Sequence, residues 1–242
     1  MPGYYTTKGY VLKRFNLGEA DRIITFITPD HGKLKAVARG VRRMKSKLAG
    51  HLELFSHVEL HIAAGKTLDV ITGAKLIETP PELDYDQLAS AYLYAQMLDK
   101  LVDEGDTPQD MYTITQMALE DLVARGASSL GELYFKLRLA ALLGYQPELS
   151  ACVRCGANGG ELAYFFEPSL GGIVDEACKL PGSIAVIHDA IKLWRAILSL
   201  SLVSVRRIAG AEQIAHQTLP VCNAFYDYNF DRRFTAAEVL QG

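Results

Sequence analysis

The chain reads as an α+β protein, a small β-barrel followed by a helical bundle that carries a late hairpin insertion. Three observations predict this. Residues 4–78 hold five strand-like runs and no helical stripe. The period of the apolar residues changes from two to 3.6 after Pro80-Pro81. Two short Cys-bearing motifs then break the helical half near 150–182. The predicted division is 1–79 for the barrel and 80–242 for the helical part with its insertion. With 242 residues, 49% hydrophobic and 22% charged, there is enough apolar material to fill a core in each part.

The strands come in order. Tyr4 to Phe15 is rich in Tyr, Thr and Val, and Asn16 to Glu19 supplies a turn. Arg22 to Thr28 is β-branched with apolar residues on both faces, which predicts burial. Pro29-Asp30-His31-Gly32 is a tight turn, so Asp30 and His31 are explained by turn chemistry and not as a catalytic pair. Lys33 to Arg39 alternates, with Lys33, Lys35 and Arg39 on one face and Leu34, Ala36 and Ala38 on the other. Leu52 to Ile62 alternates most clearly of all. Its His57, Glu59 and His61 share a face, which is expected to be solvated and not metal-binding. Leu68 to Ile77 makes the fifth strand. Five strands in so short a span predict a Greek-key barrel of the OB type, which holds nucleic acid against an open face. Tyr4, Tyr5, Tyr10, Phe15 and Phe55 are the aromatics available for stacking on bases.

Charge sharpens that expectation. The whole chain carries a formal −3, which by itself argues against a nucleic-acid binder. Residues 1–80, however, hold 13 Lys/Arg against 7 Asp/Glu, a net of +6, while 81–242 carry −9. A basic module on an acidic body is the pattern expected of a polyanion binder. No acid lies between Asp30 and Glu53, and that stretch holds Lys33, Lys35, Arg39, Arg42, Arg43, Lys45 and Lys47. These seven are the candidate DNA-binding residues. The competing reading is a solvated cationic edge that blocks strand pairing.

The helical part begins with Asp84 and Gln87 as a capping box, and Leu88, Ala91, Tyr92, Ala95, Leu98, Leu101 and Val102 follow as a stripe ended by Gly105. Thr107-Pro108 opens a second helix running to about Arg125, with Gly126 after it. Ser129 with Glu132 caps a third, which ends at Gly144. Ile187, Ile191, Trp194, Ile197 and Leu198 form a later stripe. Glu212 to about Tyr228 makes a helix with Cys222 as a buried hydrophobe, and Thr235 with Glu238 caps a short last turn. Between them, Cys152-x2-Cys155-x19-Asp175-x2-Cys178 has zinc-ribbon spacing with Asp as third ligand. Two readings stay open, a structural zinc on these four residues and a metal-free ribbon held by Tyr164, Phe165 and Phe166.

The order of these parts resembles the RecO family of recombinational DNA repair proteins. So does the local text: Gly-Glu-Ala-Asp-Arg at 18–22, Thr-Pro-Asp-His-Gly-Lys-Leu-Lys-Ala-Val-Ala-Arg-Gly at 28–40, and Cys-Val-Arg-Cys-Gly at 152–156. The ribbon departs from the family's four-cysteine pattern at Asp175. The resemblance implies a recombination mediator of the RecF pathway that binds single- and double-stranded DNA and anneals complementary strands. It further implies that, with RecR, the protein helps load recombinase on coated single strands, contacting the C-terminal tail of the single-stranded-DNA-binding protein. A generic OB-type single-strand binder with a helical scaffold is the alternative.

An enzyme is not expected. The chain has no GxxxxGK[ST] loop, GxSxG elbow or HExxH, and His31, His57, His61, His188 and His216 have no evident nucleophile partner. The start MPGYYTTKGY lacks an apolar segment, and no apolar run approaches a bilayer span. The expected location is the cytoplasm, in association with the nucleoid and not the membrane.

Overall fold

The computed structural model describes residues 3–78, 82–105, 109–157, 164–230 and 234. The chain divides into two compact units, Met1–Ala124 and Arg125–Gly242.

The first unit is built on β1 (Tyr4–Leu17), β2 (Asp21–Thr28), β3 (Gly32–Ala38), β4 (His57–Ala63) and β5 (Asp69–Leu76). They close into a barrel in the order β1-β2-β3-β5-β4, which is the OB arrangement. All pairings are antiparallel except β3 with β5, where Ala36 faces Asp69 and Val37 faces Val70. The long β1 closes the ring because it serves two neighbours. Its first half pairs with β4 from Tyr4↔Ala63 to Tyr10↔His57, and its second half pairs with β2 from Tyr10↔Ile27 to Leu17↔Asp21. A bulge between Val11 and Lys13 lets the strand bend from one to the other. Gly9 sits at the crossing, where an added Cβ would lie 2.8 Å from the Ile27 carbonyl oxygen. The interior is filled by Val11, Ile24, Phe26, Ala36, Ala38, Val58, Leu60, Ile62 and Ile71, with Val41 and Leu52 from the β3–β4 connection.

Leu52 to Ile62 is not one strand. Ladder pairing starts only at His57, after a 3₁₀ turn over Ala49–His51. Phe55 interrupts the alternation with φ of 65°, among the described residues the one non-glycine at positive φ. Its ring is buried and meets Tyr92 edge-on at 5.2 Å.

α1 (Tyr85–Leu101) and α2 (Gln109–Arg125) follow. The predicted capping box is present, with the Gln87 amide donating to Asp84 Oδ1 at 2.9 Å and the Asp84 amide to Gln87 Oε1 at 2.8 Å. The side-chain amide of Gln87 also donates to the Leu122 carbonyl, tying α1 to α2. Thr107 and Pro108, expected to open α2, lie outside the described residues, as do Pro80 and Pro81.

The second unit holds α3 (Ser129–Leu142), the three strands β6 (Tyr164–Glu167), β7 (Gly172–Asp175) and β8 (Ile184–Val186), and then α4 (His188–Ser199), α5 (Leu202–Val205) and α6 (Ala211–Phe230). The N-cap of α3 is Ser128 and not Ser129, because Ser128 Oγ accepts from the Gly131 amide at 3.1 Å. The Ser129 amide is taken instead by Glu212 Oε1 of α6 at 2.7 Å. α4 buries Ala190, Ile191, Leu193, Trp194 and Ile197, whereas Ile187 is outside the helix and half exposed. Cys222 is buried in α6, as expected. Thr235, Glu238 and the Gly159-Gly160 pair fall outside the described residues. No helix among the described residues is long and apolar enough to cross a membrane.

Candidate nucleic-acid interface and metal centre

The basic stretch is split by the fold into two sets. Ala36 and Ala38 point into the barrel as the alternation requires, but the outer face at the start of β3 is not open. The segment after α1 lies along it. Glu104 bridges Gly32 and Lys33, and the Gly105 amide donates to the Lys33 carbonyl at 3.2 Å. Lys33 is therefore buried, and its ammonium donates to the Asp99 carbonyl at 2.9 Å. Asp99 is in the last turn of α1, whose carbonyls have no partner within the helix. Burial lowers the Lys33 pKa, partly opposed by the Asp99 carboxylate. Lys35 pairs with Glu104 at 2.5 Å, and Lys13 with Asp99 at 2.6 Å. The expectation that Lys33 presents its charge outward on the strand face is thus corrected.

Arg39, Arg42, Arg43, Lys45 and Lys47 are exposed. They sit on the connection that leaves β3, and that connection is fastened to the β1–β2 turn. The Gly40 amide donates to Asp21 Oδ1 at 2.7 Å, the Arg42 amide to the Ala20 carbonyl at 3.0 Å, and Arg42 Nη1 to the Gly18 carbonyl at 3.0 Å. Gly40 takes a φ of 65° to make the turn. Val41 inserts into the barrel core between the two halves of the cationic run. Sequence reading missed this anchor, although a single branched apolar residue inside a basic loop was the available signal. Met44 at the tip is fully solvent-exposed.

The candidate stacking aromatics also divide. Tyr4 is 76% exposed and Phe15 61%. Tyr10 and Phe55 are buried. Tyr5 is half-buried, its hydroxyl donating to Asp69 and its ring 4.5 Å from that of His31. His57 is not on a solvated face, as the alternation had predicted. Its ring stacks on Tyr10 at 4.4 Å, and its Nε2 shares a 2.7 Å hydrogen bond with the hydroxyl of Tyr112 in α2. Glu59 and His61 remain exposed.

In the second unit, Cys152, Cys155, Asp175 and Cys178 come together, with one ligand atom from each lying within 4.8 Å of the others. Each pair is held by a tight turn. The Gly156 amide donates to the Cys152 carbonyl at 2.9 Å, and the Cys178 amide donates to Asp175 Oδ1 at 2.9 Å. The Cys155 thiol donates to Asp175 Oδ2 at 3.1 Å, which holds the Asp175 carboxyl below its usual range. Ligands around tetrahedral zinc, about 2.3 Å from the metal, stand roughly 3.8 Å apart. Three thiols and a carboxylate gathered this closely fit that geometry, so the four residues form a site able to hold a metal ion. β6, β7 and β8, in the order β7-β6-β8, carry the Asp175 side of the site.

Known proteins resemble this chain over both parts. The family model described as "Recombination protein O N terminal" matches residues 1–80, and "Recombination protein O C terminal" matches 82–237. A DNA repair protein RecO from Bifidobacterium adolescentis is 35% identical over 243 residues, covering 98% of this chain and 98% of the relative. One from a Nocardioides species is 36% identical over 203 residues, covering 81% and 82%. One from a Roseiflexus species is 34% identical over 225 residues, covering 89% and 78%. With both segments matched and relatives alike over nearly the full length, the chain belongs to the RecO family of DNA repair proteins.

Proposed function

We propose that the protein is a non-enzymatic recombination mediator. It binds single- and double-stranded DNA through phosphate contacts and anneals complementary strands. With RecR, and through the C-terminal tail of the single-stranded-DNA-binding protein, it helps load recombinase onto coated DNA. The observation that carries this reading is the set of exposed cations Arg39, Arg42, Arg43, Lys45 and Lys47 on a connection fixed to a closed OB barrel. Annealing brings two polyanions together. Cations that neutralise phosphates and release counterions lower that cost without reading bases. A fastened loop does so without first losing the entropy of ordering itself. Residues 1–79 are assigned the DNA contact, with Lys35 contributing once its pairing to Glu104 is exchanged for a phosphate. Lys33 ties the outer face of the strand to the end of α1. Phe15 and Tyr4 offer exposed rings to unpaired bases.

Zinc on Cys152, Cys155, Asp175 and Cys178 is assigned a structural role. All four donors come from the protein, which leaves no open coordination position for catalysis. Cytoplasmic, nucleoid-associated action follows from the same reading.

The test is annealing of complementary oligonucleotides, with and without the coating protein, for wild type and Arg42→Ala/Arg43→Ala/Lys45→Ala. The wild type is expected to anneal, and the triple variant to bind weakly with a shallower salt dependence. Binding without annealing would favour a generic single-strand binder. Unchanged binding by the variant would remove the loop from the interface.

A further inference from the structure

A cavity of about 260 Å³ opens on the outside of the barrel, lined by Tyr10, Phe55, His57, Glu78, Leu119, Glu120 and Val123. None of the basic-loop residues lines it, and it has the opposite character. Its walls are aromatic and apolar, and its charged lining groups are the carboxylates of Glu78 and Glu120. At its floor the His57 side chain is 8% exposed. Nε2 is taken by Tyr112, while Nδ1 is buried without a hydrogen-bond partner, 3.6 Å from Glu78 Oε1. Phe55, the residue held at positive φ, forms part of the wall. Backbone strain of this kind persists only where surrounding structure enforces it, and it clusters at ligand sites.

We infer that this cavity is a docking pocket for an arginine side chain of a partner protein. Charge complementarity selects a cation, since two carboxylates face a space with aromatic walls. The walls favour a planar cation, because a guanidinium can lie flat along an aromatic wall while its edge still presents N–H donors. The acceptors are the carboxylates of Glu78 and Glu120, both on exposed side chains lining the cavity. One guanidinium carries five N–H donors and reaches several such acceptors at once, whereas an ammonium is a point charge. The size suits one long side chain and falls below the usual range of roughly 300–1,000 Å³ for a small-molecule cleft. Lys8, whose ammonium lies 5.4 Å from the Tyr112 ring centre, is the neighbouring cation that an incoming arginine must accommodate. The electrostatics agree. Burial, and then the two glutamates, push the Tyr112 hydroxyl up to about 12, and burial, opposed by Glu78, lowers the His57 pKa. The inference does not depend on the DNA reading, because it uses none of the residues of the basic loop.

The probes are the capped tripeptides Ac-Gly-Arg-Gly-NH2, its citrulline analogue and its lysine analogue. Each is titrated into the full-length protein while the imidazole C–H resonances of His57 are followed by NMR. The arginine peptide is expected to shift them saturably, and citrulline, which is neutral but similar in shape, is not. Glu78→Gln/Glu120→Gln alters two exposed side chains and is expected to keep the wild-type unfolding midpoint. It should weaken the arginine response by about tenfold, the worth of one charge-assisted hydrogen bond at a partly solvated site. No saturable shift with the arginine peptide, an equal response to citrulline or lysine, or an unchanged affinity in the double variant would each overturn the assignment.

Discussion

The Lys33 ammonium donates to the backbone carbonyl of Asp99, 2.9 Å away, and so closes the C-terminal turn of α1 onto β3. The first cation of the most basic stretch thus works inside the protein. Lys33→Ala removes the partner of a helix-end carbonyl at a buried site, which costs about 1–3 kcal/mol. The expected result is a lower denaturant midpoint with no change in the salt dependence of DNA binding. Equilibrium unfolding and a salt titration on the same variant check both halves.

The exposed cations should behave in the opposite way. Arg43→Ala and Lys47→Ala are each expected to leave stability within about 0.5 kcal/mol. Each should also reduce the slope of log K against log salt by roughly one. Random-sequence and homopolymer strands should lose affinity alike, because phosphates and not base edges are contacted. Fluorescence anisotropy across a salt series measures this.

The His57 pKa is lowered by burial, opposed mainly by Glu78. Above about pH 6.5 the ring is neutral both folded and unfolded, and it contributes no pH dependence. Below that value the unfolded chain takes up a proton that the folded protein resists. Stability then falls as pH drops, by at most about 1.4 kcal/mol per unit, until the depressed folded pKa is reached. Melting temperatures from pH 7.5 to 5 should show this decline, and His57→Gln should flatten it.

The ribbon predicts metal content. The protein is expected to carry about one zinc per chain by elemental analysis. Cys155→Ser should bring this to background, and Asp175→Cys should retain zinc against a chelator that strips the wild type. Thiolate donors bind zinc more firmly than one carboxylate, which gives the direction. A wild-type protein purified with zinc present that holds none would leave the ribbon supported by packing around Tyr164 and Phe166.

In the second unit, Lys136 is fully buried between α3 and α6. Its ammonium donates to Glu132 at 2.5 Å, Asn223 at 2.6 Å and the Phe234 carbonyl at 2.8 Å. Lys136→Ala leaves Glu132 without its partner and opens a hole, for an expected loss of about 3–5 kcal/mol. Glu132→Gln, which keeps a hydrogen-bond acceptor, should cost less. Urea denaturation of the two variants ranks them.

How much was legible follows from the range of each interaction. The inward face of β3, the capping box at Asp84, the αL glycines after α2 and α3 and the Cys-x2-Cys/Asp-x2-Cys pairs all depend on residues within a few positions of one another. A period or a spacing encodes them. The α3 cap was displaced by one residue because Ser128 and Ser129 are both good caps. Glu212, 83 positions away, takes the Ser129 amide and leaves the capping role to Ser128.

The sequence by itself determined that five short strands precede a set of helices, that the cations cluster in one stretch of the barrel, and that four candidate ligands come in two pairs. Only the tertiary structure decided which outward faces meet water. A strand's alternation says that Lys33 and His57 leave the barrel, but not what waits outside. The end of α1 covers Lys33 across 66 positions of sequence, and Tyr112 of α2 covers His57 across 55. Those contacts divide the basic stretch into a structural lysine and an exposed loop, and turn a seemingly solvated histidine into the floor of a pocket. The physical reason is that periodicity fixes a side chain's direction through local backbone geometry, whereas burial is set by whichever distant element packs there.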